Sequence, residues 1–199
     1  MVRFVIIAVV VVAAFAAVEA RVGPIVAPTN LVTNPLGAVI DNGRKITGVV
    51  DECAWTCDHV SNKKMCHTLR KLPGVSSPRE LLTAAVRLSM RKAKAAKARF
   101  EAAKAAAQKG TPMESILDTC SGSYDNTVSA LQDVQRCIDT NDSKANLITK
   151  MSAATTFTGD CANAYDEREL EPSLALKAAQ HNVDRVVSGA LAIAAKLKQ

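Results

Sequence analysis

Beyond residue 78, hydrophobic and small residues recur at alternating steps of four and three. The first run is Leu82, Val86, Ser89, Ala93, Ala96, Phe100, Ala103 and Ala107; the second is Met113, Leu117, Cys120, Tyr124, Val128, Leu131, Val134 and Ile138. A third follows with Leu147, Met151, Ala154, Thr158, Cys161 and Tyr165, and a fourth with Val183, Val187, Ala190, Ala194 and Leu197. That spacing places each set on one face of a helix and predicts four helices that bury those faces against one another. The punctuation agrees. Ser77-Pro78-Arg79-Glu80 and Thr111-Pro112-Met113-Glu114 each read as a capping box with proline at the first helical position. Gly110 marks the end of the first helix. Asn141-Asp142-Ser143 is a polar turn with a ready N-cap, and Glu171-Pro172-Ser173 restarts the chain before the last helix. Long helices joined by short turns predict an all-α fold, an up-down-up-down four-helix bundle. The small residues on the first seam predict close helix approach.

The segment before the bundle divides in three. Residues 49–72 carry apolar groups (Val49, Val50, Trp55, Val60, then Met65, Leu69, Leu72) on both sides of the polar Ser61–Lys64, which predicts a short helical hairpin closed by Pro73-Gly74. Residues 21–48 show no helical period and contain Pro24, Pro28, Pro35, Gly37, Gly43 and Gly48; they read as an extended or flexible arm. In residues 1–20, Arg3 precedes an apolar run of fourteen residues from Val5 to Val18, and Val18-Glu19-Ala20 offers small residues around a cleavage site. About 20 apolar residues are needed to span a bilayer. The run therefore reads as a secretory signal peptide cut after Ala20, releasing a soluble extracellular protein. The expected organisation is thus a signal peptide (1–20), an arm (21–48) and a helical domain (49–199).

Secretion gives the six cysteines their meaning, because an even number in an oxidising compartment implies disulfides. Cys120 and Cys161 lie at nearly equal distances from the turn near residue 140, so antiparallel helices bring them level, and both sit on inward seams. Cys57 and Cys66 flank the Ser61–Lys64 turn and can close the hairpin. Cys53 and Cys137 come to the same end of the bundle; a bridge between them is open to the chain, as are two free thiols or an intermolecular bond.

Catalytic patterns are missing from the sequence: there is no Gly-x-Ser-x-Gly, no His-Glu-x-x-His, no phosphate loop and no dinucleotide fingerprint. His59, His67 and His181 share no ligand spacing, and Asp166, Glu167, Glu169 and Glu171 lack the glycine punctuation of a calcium loop. Neither a cofactor nor a metal is expected, and the chain does not read as an enzyme. Asn141-Asp142-Ser143 is also an N-glycosylation sequon at an exposed turn.

Taken in order, these segments resemble the plant invertase and pectin methylesterase inhibitor family over about residues 49–197. Cys57-x8-Cys66 is similar to the family's first cysteine pair. Leu117-Asp118-Thr119-Cys120 with Tyr124-Asp125 is similar to its Leu-x-x-Cys-x-x-x-Tyr-Asp segment. Ser152-Ala153-Ala154-x-Thr156 before Cys161 is similar to its Ser-Ala-Ala-Leu-Thr segment, and Ala190-Leu191-Ala192-Ile193 matches near the C-terminus. Asp160 stands where the methylesterase type usually carries Thr, and the Pro-Lys-Phe segment associated with invertase inhibition is missing. The resemblance implies a secreted, non-catalytic inhibitor in the apoplast or cell wall. It would block pectin methylesterase by one-to-one steric occlusion of the substrate cleft, or, as the alternative, acid invertase. Thr156 and Asp160 are the motif positions at which contact with the target is implied.

Charge adds one further reading. The chain is 48% hydrophobic and carries a net +6, with only seven aromatic residues. Between Arg79 and Lys109 there are nine Lys or Arg and two Glu, a local +7 that leaves the rest near −1. A solvated helix face is the plain explanation; attraction to a polyanion such as pectin, or a basic defence role, is the functional one. Nucleic acid is not an expected partner for a secreted chain with so few aromatics to stack bases. A membrane is not expected after signal cleavage either, because the seam of this helix is too rich in Ala for insertion.

Overall fold

Caps written into the sequence set where the helices begin. The computed structural model describes residues 51–198; the expected signal peptide (1–20) and arm (21–48) lie outside the described residues. Six helices follow in order: α1 (Glu52–Asp58), α2 (Lys63–Arg70), α3 (Pro78–Ala106), α4 (Pro112–Asp139), α5 (Lys144–Asp166) and α6 (Leu174–Lys196), with no strand among the described residues. Asp51, Asn62, Ser77, Thr111, Ser143 and Ser173 each accept a backbone N–H from the first turn that follows. One otherwise unsatisfied donor is thereby paired at every start.

The Ser77 box is reciprocal. Glu80 accepts from the N–H groups of Ser76 and Ser77 at 2.8 and 2.9 Å and from their hydroxyls at 2.7 and 3.1 Å. The start of α4 differs from the expected second box. Thr111 accepts from the Glu114 N–H, but the Glu114 carboxylate reaches past it to the Gly110 N–H at 2.6 Å. Gly110 has φ +75°, in the left-handed region, and this turns its N–H toward Glu114. The first long helix also stops earlier than Gly110 suggested, at Ala106, because Ala107 is extended.

α3 to α6 form an antiparallel bundle. α3 packs on α4 and α6, α5 packs on the same two helices, and the backbones of α3 and α5 do not approach each other, so they occupy opposite corners. The buried positions follow the four-three seams: Leu82, Val86, Ser89, Ala93, Ala96 and Phe100 on α3, and Leu147, Met151, Ala154, Thr158, Cys161 and Tyr165 on α5. The α1–α2 hairpin packs against α3 and α6. Asn62 Nδ2 donates to the Arg185 carbonyl at 3.4 Å. A Cβ at Gly189 would stand 2.5 Å from Met65 Cε, so the glycine makes room for the hairpin on α6. At the same end, Arg79 Nη1 donates to the Ile138 carbonyl at 3.0 Å and ties the start of α3 to the end of α4.

Two disulfides are formed. Cys57–Cys66 closes the hairpin with Cα atoms 5.3 Å apart, and Cys120–Cys161 joins α4 to α5 with Cα atoms 4.4 Å apart. Cys53 and Cys137 are not paired; both are buried free thiols. Of the three outcomes left open for this pair, the structure has the two free thiols, and their surroundings differ. Cys53 lies among Asp51, Arg70 and Glu80, on the hairpin side of α3. Cys137 points to the α4–α5 turn, toward Asp142 and Lys150. Burial raises both thiols above their ordinary range.

The Ser77 box generates a pH prediction. Hydrogen bonds, foremost from the Ser76 hydroxyl, hold the Glu80 carboxyl down to about 2 against an ordinary 4.5. Between those values the unfolded chain binds more protons, so the contribution is complete above the ordinary value and is lost as pH falls through the folded one. Thermal unfolding of the Glu80→Gln variant should therefore fall furthest below wild type above about pH 5, with the gap closing toward about pH 2. A gap independent of pH would mean that the box contributes nothing through its charge.

Candidate functional site

The positions singled out by motif lie on α5, and its local sequence explains the surface they share. Ser143 caps the helix through the Asn146 N–H at 3.2 Å. Asp142, one residue earlier, accepts from the Asn146 side chain at 2.7 Å and from the Ser143 N–H at 2.6 Å. Those bonds, the Asn146 one first, hold its carboxyl below the usual range. Asn141 is exposed, has φ +54°, and spends its N–H on the Ile138 carbonyl. The cap is Ser143, so the Asn141 side chain is not needed for it.

The outward face of α5 is built from short side chains. Asn146, Thr149, Ser152, Thr156 and Asn163 are exposed, and Gly159 has no atom within 4 Å of where a Cβ would stand. Thr149, Thr155 and Thr156 turn their hydroxyls back to the carbonyls of Ala145, Met151 and Ser152, at 3.0, 3.0 and 3.2 Å. Each hydroxyl is thus satisfied within the helix, and the face is low and smooth. Thr156 and Asp160 are one helical turn apart on it. Thr156 is exposed and Asp160 half-buried, and among the described residues Asp160 has no salt-bridge partner. Lys150 is turned toward Asp133 of α4, at 3.8 Å.

Behind this face the helix is held rigidly. Cys161 is bonded to Cys120 in the core, and Gln180 of α6 donates from Nε2 to Cys161 Sγ at 3.2 Å. Phe100 and Tyr124 pack with ring centroids 5.4 Å apart. The Tyr124 and Tyr165 hydroxyls are buried without a hydrogen-bond partner among the described residues. Burial raises both, and Asp184 near Tyr124 adds to that shift. Sequence reasoning placed both tyrosines on seams but missed Gln180. Its position was visible as a polar residue between Leu176 and Val183 at four-three spacing.

The remaining candidates separate. His59 stacks on Trp55 at 4.5 Å between centroids, His67 Nε2 lies 3.1 Å from Asp58, and His181 is exposed on α6. Asp166, Glu167, Glu169 and Glu171 are exposed, and Glu171 pairs with Lys177 at 3.3 Å. Among the described residues, no three His, Cys, Asp or Glu side chains cluster as metal ligands, and no helix is long and apolar enough to cross a membrane. What the arrangement offers is a helical face of short side chains whose threonine hydroxyls are satisfied by the helix itself.

Comparison with known proteins gives the following. The model for the family described as plant invertase/pectin methylesterase inhibitor matches residues 51–193. The crystal structure of mutant form A of a pectin methylesterase inhibitor from Arabidopsis is 14% identical. It is similar over 75% of this chain and 99% of that one, with a TM-score of 0.63. The crystal structure of a pectin methylesterase inhibitor from Arabidopsis thaliana is also 14% identical, over 76% and 99%, with a TM-score of 0.56. At that identity the likeness is one of fold. No curated protein matches the chain.

The two disulfides should differ in weight. Chain entropy makes the 41-residue Cys120–Cys161 separation worth about 4 kcal/mol and the nine-residue Cys57–Cys66 separation somewhat under about 3 kcal/mol. Denaturant unfolding of Cys120→Ala/Cys161→Ala should show the larger loss, with the cavity left in the core adding to it. A larger loss on opening the hairpin would contradict this.

Proposed function

The chain belongs to the plant invertase/pectin methylesterase inhibitor family, and on that premise we propose that it inhibits pectin methylesterase by covering the enzyme's substrate cleft with the outer face of α5. The observation that carries the reading is the character of that face. It is low, its hydroxyls are satisfied internally, and a buried disulfide fixes it from behind. A surface that is already ordered loses little conformational freedom on docking, so shape complementarity is converted efficiently into affinity. Thr156 and Asp160 are its proposed contact residues. The protein acts in the apoplast, carries out no chemistry of its own and needs no cofactor. Acid invertase is the alternative target within the same family.

Side-by-side titration of purified protein into pectin methylesterase and acid invertase assays tests the proposal. Methylesterase turnover should fall linearly to an end point near one inhibitor per enzyme, between about pH 4.5 and 7, a window that spans histidine titration. Asp160→Arg reverses a charge on the face and should weaken inhibition by about tenfold or more. Single His59→Ala, His67→Ala and His181→Ala changes should leave it intact. Inhibition of invertase alone would move the target, and inhibition of neither enzyme would remove the reading.

Asn141 is the proposed glycosylation site, on an exposed turn with its side chain free of capping duty. Peptide mapping of secreted protein with and without glycosidase should show a glycan there; an unmodified Asn141 peptide would refute it.

A further inference from the structure

Apart from Arg79, which donates to the Ile138 carbonyl, the cations of α3 fall into two groups. Lys97 and Lys104 lean toward α4 and are neutralised there, by Asp125 at 2.8 Å and Asp118 at 2.6 Å. Those bonds, ahead of the Coulombic attraction, raise both lysines. Arg87, Arg91, Lys92, Lys94 and Arg99 are exposed, and none forms an ion pair among the described residues. Glu101, the exposed carboxylate further along the helix, is engaged by Lys97 at 3.8 Å and by the Ser121 hydroxyl at 3.5 Å. Arg87, Arg91 and Lys94 stand one turn apart along the outer face of the helix, and Lys92 and Arg99 lie together further round one side of it. Ala95, Ala98 and Ala102 keep the surface between them low. The free charges run over about 18 Å.

We propose that this face of α3 binds a linear polyuronate, the de-esterified form of pectin, and holds the protein on it. A repeating anion matches a row of cations spaced by the helix turn. Guanidinium groups grip carboxylates through paired N–H donors, and releasing counterions from the polymer drives binding. Because α3 and α5 occupy opposite corners of the bundle, a chain on α3 leaves the α5 face clear. One consequence rests on the inhibitor reading. Hydrolysis of each methyl ester adds water, releases methanol and a proton, and leaves one carboxylate on the polymer. The enzyme's product would thus gather its inhibitor where de-esterification has already gone far.

Co-sedimentation with polyuronate and with fully methyl-esterified pectin of equal length tests this without any enzyme, so its outcome is independent of the inhibitor assays. Retention should be confined to the polyuronate and fall steeply between about 50 and 200 mM salt. Arg87→Gln/Arg91→Gln should weaken it by about tenfold or more, whereas Lys97→Gln/Lys104→Gln, with the same change in net charge, should weaken it by less than about threefold. All four side chains lie outside the core, and circular dichroism checks that each variant folds. Equal retention on both polymers, equal losses in the two variants, or tighter binding to anionic phospholipid vesicles would each overturn the assignment.

Discussion

Cys120 and Cys161 bring the backbones of α4 and α5 to 4.4 Å between Cα atoms, and the packing around them has to accept that approach. With Cα atoms about 2.3 Å from each helix axis, the axes can lie no more than about 9 Å apart at the bridge, toward the close side of ordinary helix packing. The bridge lies wholly in the core, with both cysteines buried, and small buried residues such as Ala154 on α5 and Ser123 on α4 share their helices. Gln180 then fills the remaining polar position against the sulfur. A helix fixed in this way near one end and capped by Ser143 at the other presents its outer residues in a constant arrangement.

That constancy links the fold to the proposed function. Inhibition by occlusion requires shape and stiffness and makes no use of proton transfer, which accords with a bundle whose histidines are scattered between the hairpin and α6. The division of charge follows the same architecture. Lysines that face α4 are spent on its aspartates, while those facing solvent are not, so the basic character of α3 is concentrated on one side. The nearly neutral face of α5 lies at the opposite corner. Two surfaces of different chemistry can therefore be occupied together.

Much of this was legible in the sequence for a simple reason: the four-three seams encode burial directly. Each seam residue of α5 is buried as its spacing requires, and Ser77, Thr111, Ser143 and Ser173 stand as caps. Cys120 and Cys161 could be paired by level because antiparallel helices convert sequence distance into height. For Cys53 and Cys137 level alone left bridge and free thiols both open, since it does not specify the direction of a side chain around its helix. Side-chain reach was equally hidden. Glu114 passes over Thr111 to Gly110, and Lys97 turns to Asp125 rather than to solvent. Such choices depend on which neighbour the completed bundle provides. The motif residues Thr156 and Asp160 could be placed on α5, but the smoothness of their surroundings depends on threonine hydroxyls folding back to the backbone.

The central claim is that a fixed α5 face makes the contact with pectin methylesterase. Hydrogen–deuterium exchange of the protein alone and in stoichiometric complex with the enzyme tests it most directly. The account predicts new protection over the α5 segment containing Thr156 and Asp160, with the exposed side of α3 unchanged. Protection centred on α3, or none on α5 despite full inhibition, would contradict it.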